Sequence, residues 1–312
     1  MSRRPSGLRP RYLDELSEEG GQDPAEAFAK FGDVRRPGDS EAPILGTVIR
    51  QVLHQWLHEL NFSAELAAVN VKPRRRAMLD GPPGTGKTTL AHHIAARLAM
   101  PLVVIETPAL VSMFIGATGQ NIGQLFRLAR RHPVALFFDE FDAIASRRSD
   151  GTSGAEHEKN AIVAALLQMF DRYDGLLFAA TNRGAVIDPA IWRRFQLHIT
   201  VDLPGADERF AIVKRYLAPF RAPDATLEAL ADGLEGAAPA LIKDVVESIK
   251  RDLILGPQLQ HKDGVRHVMA RVLSSMAPAE DMPTPPLWDA DTGDDAIAAL
   301  EGAPWPPTRS VQ

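Results

Sequence analysis

The 312-residue sequence contains no cysteine. This absence excludes disulfide bonds, thiolate zinc sites, iron–sulfur clusters and a cysteine nucleophile. Aromatic residues are also scarce: they make up 6% of the chain, and only three of them are tyrosines. Any metal or catalytic chemistry of this chain therefore proceeds without thiol ligands or a thiol nucleophile.

The sequence also lacks an apolar run of the roughly 18 residues that a membrane helix needs. One of its longest runs, residues 161–170, is interrupted by Gln168. The basic first ten residues are not followed by the apolar segment of a secretory signal. We therefore expect a soluble, cytoplasmic protein with no membrane partner.

Neither sign of charge dominates, because 35 basic residues stand against 40 acidic ones and the net charge is −5. This balance argues against bulk electrostatic capture of nucleic acid, although a local basic patch is still compatible with it. Hydrophobic residues make up 45% and charged residues 24%, which is enough to form a sizeable core. At about 150 residues per domain, the length predicts two domains.

The two ends of the chain differ from its middle. Residues 1–30 combine arginines, acids and a glycine pair, and we expect them to be largely flexible. Residues 277–312 are rich in proline, and residues 280–301 contain seven acidic side chains and no basic one. This composition predicts a disordered tail. Trp288 and Trp305 lie in it, either packed onto the body or presented as a docking peptide for a partner.

Between the ends, apolar strand-like runs alternate with helix-like segments as far as Pro204. Runs that are apolar throughout predict a parallel sheet covered by helices on both faces. Only helical patterns follow, so we expect an α/β domain over residues 31–204 and a small helical domain over residues 205–276.

A glycine-rich loop follows the first predicted strand. Residues 81–88 read GPPGTGKT and fit the G-x-x-x-x-G-K-[ST] pattern. In this pattern backbone amides cradle phosphates, Lys87 reaches the β- and γ-phosphates, and the Thr88 hydroxyl ligates Mg²⁺. The expected nucleotide-binding residues of this loop are Pro83, Gly84, Thr85, Gly86, Lys87, Thr88 and Thr89.

Two later predicted strands are each followed by polar residues. Ligands of a parallel sheet bind at the carboxyl ends of its strands, so these residues are candidates for the site. Asp139 is placed to hold Mg²⁺, and Glu140 is placed to polarise an attacking water. Asn182 is expected to lie beside the γ-phosphate and to orient that water. Asp142 is better interpreted as a structural hydrogen-bonding acid than as a third catalytic one.

These motifs together resemble those of the AAA ATPases within the AAA+ superfamily. GPPGTGKT is similar to Walker A, ALFFDE at 135–140 to Walker B, and TNRGAVIDPAIWRRF at 181–195 to the second region of homology. The RRF arrangement resembles the katanin and spastin group more than the FtsH and proteasomal groups. The resemblance extends over residues 31–255. It implies a P-loop NTPase fold with a helical lid domain, and it implies ATP and Mg²⁺ as substrate and cofactor.

The resemblance also implies a ring, most often a hexamer, with ATP at each subunit interface. Arg193 and Arg194 match the arginine fingers that would reach the neighbour's γ-phosphate; the alternative is that they form surface salt bridges. Asp33 and Val34 resemble the segment that passes the adenine, and Gly236 and Ala237 resemble the start of the lid helix. The acid that usually follows is an alanine here.

Met113, Phe114, Ile115 and Gly116 lie where this family carries pore loop 1, which grips a polypeptide. The alternative is that Phe114 is a core residue. The basic cluster at residues 72–76 is better explained as an exposed approach to the first strand or a subunit contact than as a nucleic-acid site. His157 and Glu158 do not form a zinc motif, because no second histidine follows at the required spacing.

Three functions compete. The first is a protein remodeller that threads or unfolds a polypeptide, with an adaptor or a separately encoded protease or effector as a further partner. The second is a nucleic-acid-acting loader or transposition helper, for which no basic pore or inserted hairpin is visible. The third is an assembly scaffold that hydrolyses ATP slowly. The complete catalytic set argues against the third, whereas Phe114, the net acidity and the resemblance to the AAA ATPases favour the first.

Overall fold

A six-stranded sheet is the centre of the computed structural model, which describes residues 23–105, 107, 120–147, 154–260 and 264–309. The strands are β1 (Gly32–Arg35), β2 (Arg76–Asp80), β3 (Leu102–Ile105), β4 (Ala135–Phe138), β5 (Leu177–Thr181) and β6 (Leu197–Thr200). Their order across the sheet is β1-β3-β4-β5-β2-β6. β4 and β5 are buried at every position, as expected for strands covered on both faces.

The sheet is mixed rather than wholly parallel, which corrects the sequence-based expectation. β2 to β6 pair in parallel, but the edge strand β1 runs antiparallel to β3, with Gly32 opposite Ile105. β1 was missed because it is short and alternates between half-buried and exposed positions, so it has no continuous apolar run. It contains Asp33 and Val34.

The helices that accompany this sheet are α1 (Pro24–Phe28), α2 (Thr47–Asn61), α3 (Ser63–Ala68), α4 (Lys87–Arg97), α5 (Gln120–Arg131), α6 (Asp142–Ala145), α7 (Gly154–Arg172) and α8 (Pro189–Trp192). They lie on both faces. Phe138 packs in one cluster with Phe126 of α5 and Phe170 of α7. On the opposite face, Trp56 of α2 meets Phe178 edge to face at 5.7 Å between ring centroids.

The chain divides into two compact units, and the second is mostly helical. It comprises Ile44–Gly46, Pro82–Gly86 and the described residues from Asp202 onward. Its helices are α9 (Ala206–Leu217), α10 (Asp224–Gly233), α11 (Pro239–Leu255), α12 (Val265–Ser274) and α13 (Gly293–Glu301), and β7 (Phe220–Arg221) pairs antiparallel with β8 (Thr308–Arg309). None of the helices in the described ranges has both the length and the apolar composition of a membrane span.

The expectation of a disordered tail is wrong for residues 277–309. Leu287 and Leu300 are buried, at 4% and 0% exposure, in the same apolar cluster as the lid helices α9 to α12. Trp288 and Trp305 pack against this cluster, and the Trp288 indole donates a hydrogen bond to the Met276 carbonyl at 3.1 Å. Of the two alternatives for the tryptophans, the packed one is therefore confirmed.

Acidic residues of the tail have a cationic partner outside it. Arg266 on α12 donates to Asp294 at 2.8 Å and to Glu301 at 3.3 Å. These contacts join α13 to the lid, and the hydrogen bonds hold the pKa of Arg266 above its usual value. The seven acids thus do not keep the segment unfolded, because apolar residues at helical spacing anchor it and Arg266 offsets part of the charge.

Candidate nucleotide site

Asp80, Asp139 and Asn182 come together because the strands that they end or follow stop at one edge of the sheet. β2, β4 and β5 are parallel neighbours, and Asp80 at the end of β2 lies opposite Thr181 at the end of β5. Asp139 directly follows β4, and Asn182 directly follows β5. The carboxyl ends of parallel strands are where such sheets bind ligands, so this edge is the candidate site.

The loop from Gly81 to Lys87 joins β2 to α4 at this edge. At Gly81 a side chain is impossible, since a β-carbon there would lie 2.2 Å from the Val201 carbonyl oxygen. Gly84 and Gly86 have φ values of 72° and 88°, a conformation that glycine adopts without steric cost. α4 begins at Lys87, so its positive end and first-turn amides face the loop, as in anion-binding sites.

The Lys87 ammonium is held inside the site. It is 8% exposed, and it donates to the Gly81 carbonyl at 2.8 Å and to Asn182 Oδ1 at 2.6 Å. Burial lowers the pKa of Lys87, and the charges of Asp139, Asp80 and Asp142 oppose that shift. A buried cation beside glycine-rich backbone is suited to a polyphosphate.

Thr88 and Asp139 supply oxygen ligands of the kind that Mg²⁺ prefers. The Thr88 hydroxyl donates to Asp139 Oδ2 at 3.0 Å. Mg²⁺ in nucleotide sites is usually held by one or two protein oxygens together with phosphate and water. These two side chains therefore fit a magnesium–nucleotide complex.

Glu140 adopts an uncommon backbone conformation. Its φ is 47°, in the left-handed region, and its side chain is exposed. The Glu140 amide donates to Asp139 Oδ1 at 3.0 Å, which fixes the turn. Strained non-glycine residues of this kind cluster at active sites, and the exposed Glu140 carboxylate lies at the edge of the candidate site.

Asp142 has the structural role that its position suggested. The Thr181 hydroxyl donates to Asp142 Oδ1 at 2.8 Å and accepts the Arg183 amide at 2.9 Å. This chain of bonds clamps the backbone on both sides of Asn182. The Asn182 amide therefore faces Lys87 from a fixed position.

Two groups near the site were not singled out from the sequence. The buried Thr107 hydroxyl donates to the Asp139 carbonyl. Asp80 accepts the Gly184 amide at 3.3 Å, and its charge acts on Lys87. Asp80 could have been predicted from the sequence, because it ends a predicted strand, much as Asp139 follows one. No sequence pattern points to Thr107.

The comparison with known families agrees with this geometry. Residues 77–203 match the model described as "ATPase family associated with various cellular activities (AAA)". Residues 77–203 carry a AAA domain. ATP binding and hydrolysis are characteristic of this family, and the matched residues contain Lys87, Asp139 and Asn182.

Relatives and a solved structure support the same assignment. An uncharacterised AAA family ATPase, y4kL of Sinorhizobium fredii, is 37% identical over 195 residues, covering 62% of this chain and 57% of the relative. The proteasome-activating nucleotidase of Methanopyrus kandleri is 38% identical over 205 residues, covering 63% and 46%. The chain thus spans about half the length of these relatives.

The fold is also that of a solved AAA domain. The FIGL-1 AAA domain, solved in complex with ADP, superposes with a TM-score of 0.62 at 21% identity and covers 89% of this chain and 96% of that one. At this identity the likeness establishes the fold alone. The mixed, mostly parallel sheet with an added helical region is therefore the architecture of a AAA domain.

The two candidate arginine fingers follow the short helix α8 of the AAA domain. Asp188 caps α8, and the Arg193 guanidinium donates to the Pro189 carbonyl at 3.0 Å. Arg194 is paired with Asp171 of α7 through bonds of 3.1 and 3.2 Å, which lower the pKa of Asp171. Within a single chain Arg194 thus forms a partly exposed salt bridge, and a role at a neighbour's site stays a prediction.

The other predicted residues lie on α4, on β1, in the second unit and outside the described residues. Thr89 lies half-buried in the first turn of α4, and Asp33 and Val34 lie on β1. Gly236, with φ 77°, and Ala237 lie between α10 and α11 in the second unit. The pore-loop residues Met113, Phe114, Ile115 and Gly116 lie outside the described residues.

Proposed function

We propose that this chain is a Mg²⁺-dependent ATPase that assembles into a ring and uses ATP hydrolysis to thread, unfold or remodel a protein substrate through its pore. One observation carries the ATPase part of this proposal. At the carboxyl edge of the sheet, directly beside the glycine-rich loop, Lys87 is hydrogen-bonded to Asn182, and Thr88 is hydrogen-bonded to Asp139.

The proposed chemistry follows from what each group can do. Lys87 neutralises charge on the β- and γ-phosphates, and an exchange of its bond to Asn182 Oδ1 for one to a phosphate oxygen would release the Asn182 amide. Asn182 is then free to orient the attacking water, and Glu140 accepts the proton of that water. Thr88 and Asp139 would hold Mg²⁺, which would supply positive charge where negative charge develops.

Exposed apolar side chains support self-association. In the first unit Val48 is 73% and Val69 67% exposed, and in the second unit Ile254 is 50% and Leu259 60% exposed. Contact with another copy would remove these side chains from water, which favours association. A head-to-tail contact between copies closes into a ring when its rotation permits, and we propose a hexamer.

A protein substrate is favoured over a nucleic acid by charge and by kinship. The net charge of −5 gives no general attraction for phosphate backbones. One relative is named a proteasome-activating nucleotidase, and the proteasome degrades proteins. We propose that an adaptor or a separately encoded protease or effector selects or receives the substrate.

The variant Glu140→Gln tests this proposal by trapping the substrate. It should bind ATP with an affinity close to that of the wild type and hydrolyse it at least 100-fold more slowly, because the amide cannot accept the proton. The ring is purified from its own host with ATP present. Its contents are identified by mass spectrometry and by the ratio of absorbance at nucleic-acid and protein wavelengths.

Glu235→Gln, an exposed acid of the second unit, is the matched control and should hydrolyse ATP normally. Polypeptide that is enriched in the Glu140→Gln ring over this control supports the threading function. Bound nucleic acid would replace it with the loader function. A chain that stays monomeric with ATP would contradict the ring.

Phe114→Ala tests the proposed pore loop separately from the ATP site. We expect ATP hydrolysis within about twofold of the wild type, and loss of substrate unfolding, because the aromatic contact area that grips the polypeptide is gone. The measurement compares ATPase rate, melting temperature and unfolding of a trapped client. If Phe114→Ala instead lowers the melting temperature strongly, Phe114 is a core residue.

A further inference from the structure

Two histidines of α2 lie one helical turn apart with their rings in contact. His54 and His58 are four residues apart, a spacing that puts side chains on the same face of a helix. Their Nε2 atoms are 3.2 Å apart, and their ring centroids are 4.4 Å apart. Both side chains are exposed, so an ion from solution can reach the pair.

The distance between the two nitrogens is that of a metal chelate. Zn²⁺ binds imidazole nitrogen at about 2.0–2.1 Å, so two such nitrogens in tetrahedral coordination are roughly 3.3 Å apart. The observed Nε2 separation of 3.2 Å already matches this spacing. A bound ion would replace the hydrogen bond between the rings, with each neutral ring keeping its proton on Nδ1 and presenting Nε2 to the ion.

The packing of α2 holds the pair in place. Trp56, on the opposite face of the helix, is buried, and its indole donates to the Arg74 carbonyl at 2.8 Å. The His58 ring also stacks on the Phe62 ring, at 6.1 Å between centroids. Ligands that are held before the ion arrives lose less conformational freedom when they bind it, so this pair is suited to chelation.

The chemistry of the pair selects the class of ion. Imidazole nitrogen suits Zn²⁺, Cu²⁺ and Ni²⁺, whereas Mg²⁺ and Ca²⁺ prefer oxygen ligands. The spacing of the pair is that of the two histidines in H-E-x-x-H, but Gln55 stands at the position of the glutamate base. In the part of the chain that the structure describes, no group of three or more histidine and acidic side chains could hold a metal. Two histidines and water would therefore bind the ion.

We propose that His54 and His58 form a two-histidine site for a divalent transition-metal ion of the zinc class, exposed on the first unit. The site shares no residue with the candidate nucleotide site. The proposal therefore does not depend on the proposed ATPase function.

Calorimetric titration of the nucleotide-free full chain with Zn²⁺ tests this site. Excess Mg²⁺ is present throughout, so that oxygen ligands such as Thr88 and Asp139 do not contribute. His54→Gln and His58→Gln should each bind Zn²⁺ at least about tenfold more weakly than the wild type. Mutating a group that merely orients a metal ligand already costs about 10- to 100-fold in affinity, so losing the ligand itself should cost no less.

Two further variants separate the pair from histidine content in general. Combining His54→Gln with Gln51→His keeps nine histidines but places the two rings seven residues apart, about 10 Å along the helix. It should bind Zn²⁺ as weakly as His54→Gln does. His267→Gln removes an exposed histidine of α12 and should bind as the wild type does.

Three results would overturn the assignment. They are a wild type that takes up no Zn²⁺, an affinity that is unchanged in His54→Gln or His58→Gln, and an affinity that Gln51→His restores. Because the exchanged side chains are exposed, the melting temperatures without metal should be equal among all variants. Only the wild type and His267→Gln should then gain stability when Zn²⁺ is added.

Discussion

Lys87→Ala is expected to weaken ATP binding by at least about 30-fold, as judged by calorimetry with a non-hydrolysable ATP analogue. Lys87 is a buried cation among three carboxylates, and it is the charged donor nearest the loop glycines. Truncating one partner of a buried, hydrogen-bonded charge pair costs about 2–5 kcal/mol, which corresponds to roughly 30- to 5,000-fold in affinity. Alanine also leaves the site acidic, so it would repel the triphosphate.

Two controls separate this effect from changes in charge or folding. Lys214→Ala removes the same charge from an exposed position, where Lys214 pairs weakly with Asp224 at 3.4 Å, and should leave ATP affinity unchanged. Lys87→Arg keeps the charge but puts a planar fork where a compact ammonium fits, and should also bind poorly. ATP affinity near that of the wild type in Lys87→Ala would contradict the assignment of the phosphate loop.

Much of the fold could be predicted because its cause is local. β4 and β5 are buried throughout, so their sequences are continuous apolar runs, and the strand–loop–helix around residues 81–88 has its own spacing. The direction of β1 was not predictable in this way. Its two faces differ, its pattern is brief, and its antiparallel pairing depends on where the chain approaches β3.

The tail shows the limit of composition as a guide. Seven acids in residues 280–301 suggested disorder, yet Ile297 and Leu300 lie on one helical face and pack on the lid. Arg266 binds two of these acids and is about 30 residues away from them in sequence. No local sequence pattern therefore predicts this pairing. Averages over a segment conceal both features.

The candidate site was largely predictable, residue by residue. Asp139 and Asn182 end strands, and Lys87 and Thr88 sit in a spaced motif, so topology brings the four together. Thr107 was not predictable, because its bond to the Asp139 carbonyl joins two positions that are 32 residues apart in sequence. The salt bridge of Arg194 with Asp171 likewise required the tertiary structure.

Arg194→Ala is expected to bind ATP normally and to lose hydrolysis by about 1,000-fold or more, the effect known for cations supplied to a γ-phosphate by a partner. The loss in folding stability should be small. The Arg194–Asp171 pair is partly exposed, at 34% and 55%, and such pairs contribute about 0–1 kcal/mol. Arg266→Ala, which removes a partly exposed arginine that is paired with two acids, is the matched control and should hydrolyse ATP normally.

Mixing two inactive variants decides whether Arg194 acts on its own site or on a neighbour's. Arg194→Ala keeps Glu140, and Glu140→Gln keeps Arg194. If the arginine acts across the interface, co-expressed mixed rings regain activity wherever an Arg194→Ala site faces a Glu140→Gln neighbour. In a ring assembled at random from equal amounts of both variants, this arrangement occurs at about one quarter of the interfaces. If it acts within its own chain, every site lacks one group and the mixture stays inactive. Recovery of ATPase rate therefore distinguishes a finger from the salt bridge that the single chain displays.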